Sequence, residues 1–299
     1  MTSSLAPRHG RLYRRMAADA AALRPRPGPA APATTVTGAD LAGLPAAAQR
    51  YLTFMDVTGR PQDWSFVAHC TGRFRLRPGL PWLRCETWQY STAPDIARLY
   101  HMRLTAARVL PMTGRDAYAG GHGRMHGKLA GLVPVADGSG PEYDVSELVT
   151  YLNDAVLLAP SMLLSLPVTW AGVNDSCFDL TLADAGHQVT ARVLVDGRGA
   201  PAEFSTEDRW CALPGGLVRT RWSTPVQGWM KINGRWQLRW GAAIWHLPEG
   251  PFCYAEFRPT PGAVRYNVTP AELSPAGHGS HPPGDDLIPG PAAASGSRL

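Results

Sequence analysis

With 299 residues, 44% of them hydrophobic, the chain has enough apolar material for one large or two smaller cores. A formal net charge of +5 invites a nucleic-acid reading, but six of the arginines (Arg8, Arg11, Arg14, Arg15, Arg24, Arg26) crowd the first stretch and the rest are scattered. No helix-turn-helix, zinc-finger or RNP pattern accompanies them, so nucleic acid is not an expected partner.

Residues 1–36 and 271–299 are rich in Pro, Gly, Ala and Ser without periodicity and are expected to be disordered tails around a single domain at 37–270. Segment 11–23, RLYRRMAADAAAL, opens basic, but Asp19 interrupts its apolar part. It reads as a frayed tail, with a short amphipathic helix touching anionic lipid through residues 8–26 as the alternative. No run of about eighteen apolar residues occurs, and a cytoplasmic location is expected. The five cysteines (Cys70, Cys85, Cys177, Cys211, Cys253) are widely spaced and lack a Cys-x-x-Cys, which points to buried thiols in a reducing compartment.

A helix announced by Asp40 or Pro45 carries Leu44, Ala48, Tyr51, Leu52 and Met55 before Gly59 stops it. From Ser65 the pattern changes to strands: 65–76, 82–92 and 97–104 are rich in aromatic and β-branched residues between Pro and Gly clusters. Period two places Glu86, Trp88 and Tyr90 on one face of the second, and Arg98, Tyr100, Met102 and Leu104 on one face of the third.

The stretch Gly114 to Leu164 reads as a glycine-punctuated hairpin through Asp116 and Tyr118, a strand from Arg124 to Val135, a turn at Asp137-Gly138, and then a helix. On that helix Leu148, Tyr151, Leu152, Ala155 and Leu158 recur at helical spacing behind a cap at Asp144 or Ser146, so one stripe is expected to face inward. A sheet covered by a helix leaves room for a ligand between them.

The remainder returns to strands at 168–173, 177–182, 187–195, 201–210, 216–222, 228–232, 235–245, 252–257 and 263–268, with Asp196-Gly197 and Asn233-Gly234 as two-residue hairpin turns. Seven of the ten tryptophans lie between Trp170 and Trp245, which calls for a large surface to cover them. The fold expected is mainly β: a curved antiparallel sheet or half-barrel closed by one or two helices.

The runs PWL at 81–83, GRDAYAGGHGRMHGKLAGLVPV at 114–135, GPEYDVSELVTYL at 140–152, APSMLL at 159–164 and WHLPEGPFCY at 245–254 resemble a bacterial family known as a domain of unknown function, over residues 44 to 268. The resemblance implies an architecture similar to the lipoprotein carriers, whose curved sheets hold lipid between sheet and helices; it implies no activity. Three places depart from the family's pattern: Asn153 stands where an acidic residue is common, Leu157-Leu158 replaces a bulkier aromatic pair, and Arg235-Trp236 replaces Val-Pro. These changes are expected to alter a pocket wall more than the fold.

His122 and His126 lie on a Gly-rich strand, where their spacing does not place them as in a helical metal motif, and no metal is expected. Gly-x-Ser-x-Gly and the phosphate-binding glycine patterns are missing, so no cofactor is expected either. Carboxylates remain: Asp116, Glu142, Glu147, Asp154, Glu207 and Asp208 are expected at or near the sheet-helix junction or on strands flanking it. Asp116, Glu142 and Asp208 are the candidate general acids, because a carboxyl in an apolar pocket has a raised pKa and can protonate an alkene, epoxide, carbonyl or enol. Against that, Asp116 and Glu142 also suit turns, Glu147 suits a helix first turn, and Asp208 can pair with Arg209. Trp88, Tyr100, Tyr118, Tyr151, Asn153, Trp222 and Trp245 are the candidate ligand-lining residues. The primary expectation is binding of a hydrophobic small molecule such as a lipid, polyketide or terpenoid; the alternatives are a cofactor-independent cyclase or isomerase in the same cavity, and a membrane-surface or protein-interaction module.

Overall fold

The computed structural model describes residues 10–23, 34–105, 111–129, 133–213 and 215–273. Three helices precede the sheet: α1 (Arg11–Leu23), α2 (Gly38–Ala42) and α3 (Ala46–Phe54). A meander then runs through β1 (Ser65–Phe74), β2 (Leu83–Thr92), β3 (Ala97–Thr105), β4 (Met112–Ala119), β5 (His122–Leu129) and β6 (Val133–Ser139). Helix α4 (Pro141–Leu158) and a 3-10 turn (Pro160–Leu164) lead to β7 (Val168–Asn174), β8 (Cys177–Asp184), β9 (His187–Val195) and β10 (Pro201–Thr206). The chain ends in a small hairpin, β11 (Trp210–Leu213) and β12 (Gly216–Arg219), and three long strands, β13 (Trp222–Ile232), β14 (Arg235–Leu247) and β15 (Gly250–Tyr266).

Apart from the β11–β12 hairpin, the strands make one thirteen-stranded antiparallel sheet in the order β6-β5-β4-β3-β2-β1-β15-β14-β13-β10-β9-β8-β7. It does not close into a barrel: β6 and β7 are its two ends. The sheet is curved enough that α4, lying in its hollow, touches β4 and β5 on one wing and β9 and β10 on the other. In β9 the alternation is strict, with Val189, Ala191, Val193 and Val195 buried and Gln188, Thr190 and Arg192 exposed. Asn233 (φ 49°) and Gly234 (φ 78°) form the expected hairpin turn. The other expected turn is longer: Asp196 N–H donates to Ala200 O at 2.9 Å, so the loop spans Asp196 to Ala200. The true two-residue turn of that wing is Ala185-Gly186, both at positive φ.

Helix α4 differs from a surface helix with one apolar stripe. It is buried on nearly every side from Asp144 to Leu158, because the wings wrap around it. Its cap is Gly140 with Pro141 following, where the missing N–H costs nothing. The expected cap residues serve elsewhere: Asp144 Oδ1 accepts from Gly123 N–H at 2.6 Å, and Ser146 Oγ accepts from Trp210 N–H at 3.1 Å. The helix start sits so close to β5 that a Cβ on Gly123 would lie 2.2 Å from Tyr143 O, which only glycine tolerates. Asp137-Gly138 is not a turn; it lies in β6, with Asp137 opposite His126. Segments 252–257 and 263–266 belong to one strand, β15, which ends at Tyr266.

The N-terminal expectation also changes. Residues 11–23 form α1 instead of a frayed tail, burying Leu12, Tyr13, Met16, Ala17 and Ala20 against Val67, Trp88, Tyr90 and Leu99 on the outer face of the sheet. Asp19 anchors it, pairing with His101 at 2.9 Å and Arg115 at 2.7 Å. The apolar stripe on which membrane contact through residues 8–26 would rest is thus spent on the sheet; residues 8, 9 and 24–26 lie outside the described residues. So do 274–299 of the expected C-terminal tail, whereas Leu273 is fully buried. Among the described residues no helix is long and apolar enough to cross a membrane.

Candidate functional site

Between α4 and the concave face of the sheet lies a cavity of about 680 Å³. One wall is a grid of cross-strand rows. Gln89, Tyr100, Asp116 and Met125 stand in register across β2 to β5, and Thr87, Met102 and Gly114 form the next row. Along β3 the face turns from polar to apolar, through Arg98, Tyr100, Met102 and Leu104, all on the cavity. The opposite wall is Trp222 and Thr224 of β13, Leu238 and Ala242 of β14, and Tyr254 and Phe257 of β15. Helix α4 roofs the space with Thr150, Asn153, Asp154, Leu157 and Leu158, positions that share one helical face. At the lip beyond β1, Leu76 and Leu80 line the cavity while 45% and 46% exposed, which marks the opening.

Where β3 meets α4 the surroundings of the cavity are charged. Arg98, 3% exposed, donates through Nη1 to Glu147 Oε2 at 3.0 Å and through Nε to Asp154 Oδ2 at 2.7 Å. A buried cation so placed is tolerable only because carboxylates meet it with good geometry. Burial away from water pushes the fully enclosed Glu147 up to about 8, with Asp116 and Asp154 adding to the rise and Arg98 and Arg209 opposing it. Burial also raises the Asp116 carboxyl, and the pull of Arg98 and Arg209 does not cancel that. Asn153 is fixed by Thr224 Oγ1, which donates to its Oδ1 at 2.6 Å. The arrangement is an apolar hollow with a narrow ionic base.

Of the candidate acids, only Asp116 reaches this cavity. Glu142 is half-buried in the first turn of α4, away from the cavity, which the helix lines only from Thr150 onward. Asp208 is held on the rim, accepting from Thr190 N–H at 2.7 Å and pairing with Arg219, not with Arg209. Among the expected lining residues, Tyr100, Asn153 and Trp222 line the cavity. Trp88 faces the other side of the sheet, edge-on to Tyr13 with ring centres 4.7 Å apart, because α1 gives that face a core of its own. Tyr118 is fully buried with its hydroxyl on Asp184 at 2.7 Å, and Tyr151 points away to donate to Thr92 O at 3.1 Å. Trp245 stacks behind Tyr254 and supports the wall from outside.

Arg98, Glu147, Asp154 and Arg209 form the ionic base; the sequence marks Glu147 and Asp154 as carboxylates near the sheet-helix junction but singles out neither Arg98 nor Arg209. The available signal was the interruption of an apolar helix by Glu147, Thr150 and Asp154 at three- and four-residue spacing. The departures at Asn153, Leu157 and Leu158 do fall on the cavity roof. Arg235 and Trp236 do not: Arg235 grips the buried Asp63 at 2.8 and 2.9 Å, and Trp236 stacks on Phe54 with centres 4.9 Å apart. All five cysteines are free, and burial pushes the Cys70 thiol up to about 12, a poor nucleophile. Among the described residues no group of three or more His, Cys, Asp and Glu side chains gathers as a metal site would require.

Fold and site together define an open, curved antiparallel sheet that holds a helix in its hollow and a cavity beneath it. Residues 34–257 match the model of a family of unknown function, DUF6544, and the chain belongs to that family. No curated protein matches it. Among solved structures it is similar to a DUF1329 family protein from Desulfovibrio piger (14% identity, 81% of this chain and 99% of that one, TM-score 0.42). It is similar also to a LolA superfamily protein from Nitrosomonas europaea (14%, 76% and 96%, TM-score 0.40). A third is a putative outer membrane lipoprotein-sorting protein domain from Vibrio parahaemolyticus (10%, 69% and 86%, TM-score 0.36).

Proposed function

We propose that this protein binds and carries a hydrophobic small molecule, a lipid, polyketide or terpenoid, in the cavity under α4 without converting it. The observation that carries this reading is the cavity itself: about 680 Å³ left unfilled in a domain whose tryptophans and leucines pack tightly elsewhere. Interiors normally leave no such void, because unfilled apolar space forfeits dispersion contacts on every wall. The volume lies within the range typical of small-molecule sites. Mass spectrometry of solvent extracts from protein purified out of its host is expected to release a lipid-like compound at near-stoichiometric yield. Repeated empty extracts would count against carriage.

A second reading, a cofactor-independent cyclase or isomerase, is favoured by Asp116. Its carboxyl lines the cavity and is raised by burial, so it is suited to hand a proton to a bound alkene, epoxide, carbonyl or enol. Glu142 and Asp208 have no part in it. Here Asp116→Asn should abolish product while the ligand still binds; turnover that survives the substitution removes Asp116 from the chemistry.

A further inference from the structure

Three arginines line the cavity: Arg77 is exposed, and the two buried ones, Arg98 and Arg209, are treated differently. Arg98 has two carboxylates. Arg209, in the link between β10 and β11, is 6% exposed and has none within ion-pair distance among the described residues. Its guanidinium lies over the Trp222 ring at 4.0 Å and 5.1 Å from the Trp245 ring. Its Nη1 donates to Tyr254 Oη at 3.1 Å, an oxygen that already accepts from Trp222 Nε1–H at 3.1 Å, and its Nε has no acceptor. Aromatic faces hold such a group in place, but they do not replace an anion.

A second donor on the same cavity, Gln89 Nε2, is likewise buried and without an acceptor. Neither of these two donors is met by an acceptor of the protein among the described residues. Building on the proposed carriage of a hydrophobic molecule, we infer that its guest is a long-chain carboxylate, with the carboxylate held by Arg209 and the hydrocarbon lying along Met102, Leu104, Leu157 and Phe257. A planar carboxylate matches the two-pronged guanidinium, and the single charge matters as much as the shape. With Arg98 already paired to two carboxylates, Arg209 alone balances one negative charge, and a phosphate's second charge would go unmatched there. The lining through Met102, Leu104, Leu157 and Phe257 is apolar and admits a chain.

The test uses full-length protein stripped of lipid, titrated with dodecanoate, dodecanol and dodecyl phosphate and followed by tryptophan fluorescence and native mass spectrometry. Dodecanoate is expected to bind at least about tenfold tighter than dodecanol, and Arg209→Gln to remove that advantage while dodecanol binding stays within about twofold. Retained dodecanol binding also shows that the variant folds. Equal affinity for acid and alcohol, or an Arg209→Gln loss shared by both, overturns the headgroup assignment but leaves carriage standing. Stronger binding of dodecyl phosphate overturns the carboxylate in favour of a phosphate. If no chain binds at all, the cavity reading falls with it.

Discussion

Glu147 concentrates the energetics of the site in one side chain. It is fully enclosed, one of its oxygens meets Arg98, and the other, Oε1, has no partner. A carboxyl whose folded value is raised from 4.5 to about 8 holds a proton in the folded state over a window where the unfolded chain has released it. Stability conferred by that proton is full below the unfolded value and declines as pH rises toward about 8, by at most about 1.4 kcal/mol per pH unit. Glu147→Gln, neutral throughout, should therefore gain on the wild type as pH climbs from 5 to 8, in urea midpoints measured at each pH. A difference that stays constant over that range would show that Glu147 does not carry the proton. Arg98→Met is the complementary change. It strands the Asp154 and Glu147 carboxyls in a dry interior, and a loss of about 3–5 kcal/mol is expected from the same urea midpoints, far beyond an exposed pair.

At the scale of elements, α1 and α4 show where period and composition suffice and where they do not. The strand-rich wings were legible because each strand alternates between a core face and another face, and alternation is a local property. What alternation leaves open is which face is the inner one. Trp88 of β2 was expected on a pocket wall, yet α1 covers its face, and the cavity is lined by Thr87 and Gln89 on the other face. The sequence of α1 concealed this, since Arg-rich flanks and Asp19 suit solvent, and only docking turns Asp19 toward His101 and Arg115. The ionic base of the cavity was hidden for a similar reason: Arg98, Asp154 and Arg209 come from elements far apart in the chain and meet only after the sheet curls. Met16 is completely buried between α1 and the sheet. Met16→Ala should cost about 2–5 kcal/mol if α1 is an integral layer, read from the shift in thermal or urea unfolding. A cost within about 0.5 kcal/mol, typical of surface positions, would instead return α1 to the status of a loose tail.

For the molecule as a whole the question is whether two wings separated by a cavity unfold together. Chains of this size often populate intermediates, and a void between the wings weakens the contact that would couple them. Three features oppose that. The wings are one sheet, joined where β1 pairs with β15 from Phe66 opposite Tyr266 to Phe74 opposite Ala255. Helix α4 packs on strands of both, and a single core cluster extends from Val36 through Tyr151 to Val264. Opening either wing therefore also exposes the buried ionic base, whose charges are compensated only while Arg98 of β3 and the carboxylates of α4 remain together. These couplings outweigh the void, and unfolding should be one transition. The distribution of tryptophans makes this measurable: seven of ten lie between Trp170 and Trp245, so fluorescence reports mainly the C-terminal wing while far-UV circular dichroism reports the entire sheet. The two urea curves should superimpose, and a ligand that binds only the folded state at about 100 times its Kd should displace both together by about 2.7 kcal/mol. Curves that separate, with the ligand moving only one, would mean that the guest sits within a wing and not between the wings under α4.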